Sequence, residues 1–181
     1  MSESDANINI GFVGLGVMGK SLVLNLADNG YKIAAFDLDS QKVTDAIAQE
    51  RAEAPDKPAR IRGCSSFTEL LSALPSPRTI FLSVPAGEPV DHVCNKLIDA
   101  GIEADDIVVD TGNSLWTDTR DREKHYLGKF IFFSTAVSGG EEGARFGPSL
   151  MPSGDRYAWT RLRPIMEAIA AKVDAQTGLP I

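Results

Sequence analysis

Gly14, Leu15, Gly16, Val17, Met18 and Gly19 form a GxGxxG run. At a strand-to-helix junction each glycine has its own task. The first permits a tight turn, the second lets a pyrophosphate approach the backbone, and the third lets helix and strand pack closely. The helix N-terminus then faces the phosphates with its free N–H groups. An acidic residue, Asp37, follows 23 positions after Gly14. A carboxylate there can accept hydrogen bonds from the adenosine ribose hydroxyls and repels an added 2′-phosphate. No Arg or Lys occurs at positions 37–41, and Lys42 comes one helical turn later. These residues point to dinucleotide binding, with NAD favoured and NADP possible. The plain alternatives are a structural glycine turn, and capping of the next helix by Asp37, Asp39 or Ser40.

Two further segments are chemically unusual. Asn113 and Ser114 follow an apolar strand, and an amide that donates and accepts suits a nicotinamide or polyhydroxylated partner. The alternative is a turn plus a helix cap. Residues 138–148 (SGGEEGARFGP) read as a loop in which Ser138, Gly139 and Gly140 expose backbone N–H groups, framed with Glu141, Glu142 and Arg145. Such a loop can cradle a carboxylate or phosphate, or merely turn the chain. His92 and His125 read as surface histidines, and two histidines with Ser83 or Ser138 make no hydrolase triad. Trp116, Tyr157 and Trp159 read as helix packing groups. Cys64 and Cys94 have no metal or CxxC spacing, so no metal site is expected and reduced thiols in a cytoplasmic setting are.

Periodicity supplies the elements that hold these residues. Strands are predicted at 8–13, 31–36, 79–84, 107–110 and 130–137, and helices at 20–29, 40–50, 66–74, 88–100 and 117–127. Residues 51–60 read as a surface loop. The strands are apolar throughout, as in a parallel sheet covered on both faces. The fold class is therefore α/β, a Rossmann-like doubly wound, mainly parallel sheet with helices on both faces. The glycine run, Asp37, the Val84–Pro85–Ala86–Gly87 turn, Asn113 and Ser138 all fall at C-terminal strand ends, where such folds bind ligands.

The 181 residues suit one domain, read as 8–181 after a flexible leader at 1–7. Apolar residues make up 43%, enough for a core. Eighteen Lys plus Arg against 25 Asp plus Glu give a net charge of -7, which argues against nucleic-acid or anionic-membrane binding but not against a small anion.

Three segments carry a family resemblance: residues 14–19 (GLGVMG), 110–114 (DTGNS) and 138–152 (SGGEEGARFGPSLMP). With them the chain resembles the N-terminal cofactor-binding domain of the decarboxylating 6-phosphogluconate dehydrogenases, from about Ile8 to Pro180. The wider β-hydroxyacid dehydrogenases, such as 3-hydroxyisobutyrate dehydrogenase, are similar in the glycine run only. The resemblance implies oxidation of 6-phosphogluconate at C3 by hydride transfer to NAD or NADP, then decarboxylation to ribulose 5-phosphate. It also implies that Met18 packs on the nicotinamide and that Val84, Ala86 and Gly87 flank the cofactor. Asn113, Ser138, Gly139 and Gly140 would contact substrate.

Two departures from the family remove positive charge. NADP-dependent members carry asparagine, arginine and threonine where this chain has Asp37, Leu38 and Asp39, and many carry a lysine where it has Pro85. Both agree with NAD. The family's proton-transferring lysine and glutamate and its substrate-phosphate groups belong to a helical domain beyond residue 181. The expectation is therefore a cofactor domain with no catalytic residue of its own, inactive alone, monomeric as a fragment and homodimeric in the full enzyme. The competing readings are a dehydrogenase of another small β-hydroxy acid and a non-catalytic dinucleotide-binding module.

Overall fold

The computed structural model describes residues 9–173 and Thr177. The predicted leader lies outside them. Seven strands form one sheet in the order β3-β2-β1-β4-β5-β6-β7. They are β1 (Ile10–Val13), β2 (Ile33–Phe36), β3 (Ile61–Gly63), β4 (Thr79–Leu82), β5 (Ile107–Asp110), β6 (Ile131–Ser138) and β7 (Ser149–Ser153). The first six pair in parallel, and β7 runs antiparallel to β6 with Ser138 opposite Ser149. The sheet is therefore mainly parallel, as its apolar strands require. Strand order reverses between β1 and β4, which opens a crevice at their C-terminal ends.

Among the described residues seven helices cover the sheet: α1 (Val17–Asp28), α2 (Ser40–Glu53), α3 (Phe67–Ser72), α4 (Glu88–Asp99), α5 (Trp116–Tyr126), α6 (Gly140–Phe146) and α7 (Arg156–Ile169). Successive strand side chains alternate between two cores. Ile10, Phe12, Ile33, Phe81, Ile107 and Val109 pack with α1, α2, α6 and α7. Val13, Ala34, Ile80, Leu82 and Val108 pack with α3, α4 and α5. A reciprocal cap opens α3: Ser66 Oγ accepts from the Glu69 N–H at 3.1 Å, while the Glu69 carboxylate accepts from the Ser65 N–H at 2.8 Å.

Several expectations need correction. Residues 51–53 extend α2, and Ile61–Gly63 is an edge strand too short to show a period. Residues 140–146 are a helix rather than a loop, and 149–153 pair with β6. Buried Asn25 explains the first: its Nδ2 donates to the Ala144 and Ile169 carbonyls at 3.1 Å each, tying α6 and α7 to α1. Trp116 and Tyr157 are not packing groups; they are 68% and 55% exposed. Trp159 does pack against the core. Cys64 and Cys94 are both buried and free, and burial pushes their thiols up to about 11 and about 12, so neither is a nucleophile.

Candidate dinucleotide site

The glycine run bridges β1 and α1 across the strand-order reversal. Gly14 sits at φ 94°, and its N–H donates to the Phe36 carbonyl at 2.9 Å. A side chain on Gly14 would strike the Ser83 carbonyl, and one on Gly19 would strike the Gly14 carbonyl. At Gly16 an added Cβ would meet nothing within 4 Å. The loop thus packs tightly at its two ends and stays open at its middle glycine. Gly16 also caps α1 without a side-chain bond, so the cap residue satisfies none of the first-turn N–H groups. The residues fit a pyrophosphate.

Two clefts meet at this point. The first, about 600 Å³, lies over the ends of β1 and β2. Gly14, Gly16, Phe36, Asp37, Leu38, Lys42, Phe67 and Val93 help to line it. The second, about 440 Å³, lies over β4, β5 and β6 and is lined by Val17, Met18, Ala86, Thr111, Asn113 and Val137 among others. Gly16, Ser83, Val84 and Pro85 belong to both. The acidic residue after the second strand lines the first cleft, the position where such folds hold an adenosine ribose, and the second cleft lies across the strand-order reversal.

Asp37 braces the loop. Its Oδ2 accepts from the Leu15 N–H at 2.7 Å and its Oδ1 from the Asp39 N–H at 2.9 Å, while Lys42 Nζ stands 3.7 Å from Oδ1. Asp39, not Asp37, caps α2 by accepting from Gln41 N–H. The two roles are divided between two carboxylates. Each Asp37 oxygen keeps acceptor capacity for a hydroxyl. Leu38 is 86% exposed beside it. Lys42 is the one cation lining this cleft among the described residues.

Opposite, buried Asp110 organises the loop after β5: it accepts from the Gly112 N–H at 2.9 Å and the Ser114 hydroxyl at 2.6 Å. Ser114 is therefore occupied by Asp110 rather than by α5, whose cap residue is Leu115 with no side-chain bond. The cap reading for Asn113 and Ser114 fails, and Asn113 stands exposed at the cleft mouth. Ser138, Gly139 and Gly140 run out past the same sheet end, because Asp110 on β5 pairs with Ser134 on β6. Gly139 adopts φ 119° to start α6, and Ser138 to Gly140 are exposed. Arg145 does not join them: it turns back to Asp28 at 2.6 Å and Glu53 at 2.7 Å.

Sequence reasoning missed several lining groups. Phe67, Pro89 and Val93 line the first cleft, as does His92, which is exposed as expected. Their signal was their place after the Val84–Gly87 turn or on the α3 face towards β2. Among the described residues no Lys, Arg, His, Asp or Glu lines the second cleft.

A family model described as the NAD binding domain of 6-phosphogluconate dehydrogenase matches residues 9–178. The chain belongs to this family. It is 45% identical over 167 residues to the decarboxylating 6-phosphogluconate dehydrogenase of Haemophilus ducreyi, covering 92% of this chain and 33% of that enzyme. The human 6-phosphogluconate dehydrogenase is 43% identical over 176 residues, covering 97% and 35%. Among solved structures, Plasmodium falciparum 6-phosphogluconate dehydrogenase, described with its cofactor NADP+ and its substrate 6-phosphogluconate, superposes with a TM-score of 0.84 at 30% identity over 95% of this chain and 35% of that one. A Mycobacterium tuberculosis 3-hydroxyisobutyrate dehydrogenase shares the fold, with a TM-score of 0.73 at 24% identity over 91% of this chain and 52% of that one. The chain thus spans about a third of the length of the 6-phosphogluconate dehydrogenases it matches. Among the described residues no helix is long and apolar enough to cross a membrane.

Proposed function

We propose that residues 8–181 form the cofactor domain of a 6-phosphogluconate dehydrogenase and bind NAD in preference to NADP. The open backbone at Gly16, set at the uncapped start of α1 between two clefts, carries the reading. Gly14 to Gly19 hold the pyrophosphate. Asp37 and Leu38 face the adenosine ribose, and Met18, Val84, Pro85 and Ala86 face the nicotinamide. When bound, the nicotinamide accepts a hydride from the substrate carbon. Asn113, Ser138, Gly139 and Gly140 orient the sugar acid. Amide, hydroxyl and backbone groups orient rather than carry a proton, and among the described residues no Lys, Arg, His, Asp or Glu lines that half of the cleft.

NAD preference rests on charge. Asp37 would lie close to a 2′-phosphate, Leu38 cannot pair with it, and Lys42 already neighbours Asp37. A direct test replaces the two residues together. The Asp37→Asn, Leu38→Arg double variant should raise NADP affinity at least tenfold, about 1.4 kcal/mol, as read by calorimetry. An unchanged NAD-to-NADP ratio would contradict the charge reading.

A further inference from the structure

Helix α5 is polar along almost its whole length, yet it buries Arg122 together with Tyr126. Arg122 is 7% exposed. Its Nε donates to Asp91 Oδ1 at 2.8 Å, and its Nη2 donates to Asp91 Oδ2 at 2.7 Å and to the Gly87 carbonyl at 2.9 Å. Tyr126 adds a hydroxyl bond to Asp91 at 3.3 Å. Arg122 Nη1 is buried without a hydrogen-bond partner. The pair is buried on the arginine side only, with the Asp91 side chain 43% exposed; such an ion pair adds little net stability, and the unpaired N–H costs some of that. The geometry of the pair, rather than its energy, is what it contributes.

That geometry bears on the cleft. Gly87 ends the turn that begins at Val84 and caps α4 without a side-chain bond. Val84 and Pro85 line both halves of the cleft, and Ala86 lines the nicotinamide half. Asp110, which holds the Asn113 loop, also acts on the Arg122 charge. A planar guanidinium fork fixes a carboxylate and a carbonyl at once; an ammonium fixes only one direction.

We propose that Arg122 is a positioning residue for the dinucleotide site, fixing the Val84–Gly87 turn from behind through its fork on Asp91 and the Gly87 carbonyl. This rests on the dinucleotide reading above. The turn then holds Pro85 and Ala86 at the height where the adenosine and nicotinamide halves meet. The adenosine half depends on it too, because Glu88, Pro89, His92 and Val93 of α4 flank Asp91 and line that half together with Val84 and Pro85.

The test is the Arg122→Lys variant of the full chain, titrated with NADH and with AMP at a temperature where thermal unfolding shows it folded. Both affinities should fall, NADH by about tenfold or about 1.4 kcal/mol, while the Arg145→Lys variant, which alters a forked ion pair away from both clefts, keeps both within about twofold. A purely structural role would leave the folded Arg122→Lys variant with wild-type affinities, or would weaken Arg145→Lys equally, and either result overturns the proposal. Should the lysine variant not fold, Asp91→Asn replaces it, with a loss of NADH affinity expected at about threefold. If neither variant folds, the pair serves the fold alone and the proposal is wrong. A wild-type chain that binds neither ligand instead defeats the dinucleotide reading itself, and this inference with it.

Discussion

Two glycine-rich segments stand where a strand gives way to a helix, one a turn and one running into the helix itself, and they pack in opposite ways. The run at residues 14–19 is packed at its ends and open in the middle, so Gly16 faces a cleft. The run at residues 139–147 is open at Gly140 but closed behind: a side chain on Gly139 would press on Gly143, and one on Gly147 on Ala171. Its arginine, Arg145, has a side chain 13% exposed and is held by Asp28 and Glu53. The first leaves its middle glycine open over a cleft, while the second packs α6 onto α1. Glycine content does not separate them. What a methyl group would meet at each position does.

The largest expected effect sharpens this contrast at the first turn. Gly19→Ala would drive a methyl into the Gly14 carbonyl. It should cost about 1–3 kcal/mol of stability and weaken NAD binding by about a hundredfold, read by calorimetry with chemical denaturation alongside. Gly16→Ala should divide the two properties. Its methyl meets no protein atom, so stability should hold within about 1 kcal/mol, while NAD affinity falls about tenfold because the pyrophosphate has lost its approach.

At the second segment the order reverses. Arg145→Ala should lower stability by about 1–2 kcal/mol, since its partners are part-exposed, and leave NAD affinity within about twofold. The deficit should also depend on pH. Hydrogen bonds from Gln49 and then Arg145 hold Glu53 below the ordinary carboxylate range, against its partial burial. A depressed folded pKa gives stability that is present above the unfolded value, about 4.3, and is lost as pH falls through the folded value. Denaturation curves of wild type and variant should therefore converge below about pH 4. The smallest effect is Gly143→Ala, whose methyl would sit at an ordinary 3.5 Å from the Ser138 carbonyl. It should gain up to about 1 kcal/mol from helix propensity and leave binding unchanged.

The same contrast explains what could be read in advance. The glycine run, Asp37 and five of the parallel strands were legible because local spacing dictates them. Apolar runs set the strands, and an acidic residue at a fixed interval set the ribose end. The α6 helix was not legible. Gly140 and Gly143 inside it and Gly139 and Gly147 at its ends argue against a helix, and its partner, the Asn25 amide, lies 119 residues away along the chain. Strand β7 was hidden for a related reason: Ser149–Ser153 is nearly all exposed and contains Pro152, so it shows no alternation. The loop-bracing roles of Asp37 and Asp110 follow from hydrogen bonds that residue spacing alone does not fix.

One measurement bears most directly on the central claim. The purified chain is titrated with NAD and with NADP by calorimetry at matched salt. The account predicts that both bind and that NAD binds at least tenfold more tightly, about 1.4 kcal/mol. Equal affinity or a preference for NADP would contradict the assignment of Asp37 and Leu38, and no binding of either would contradict the site itself.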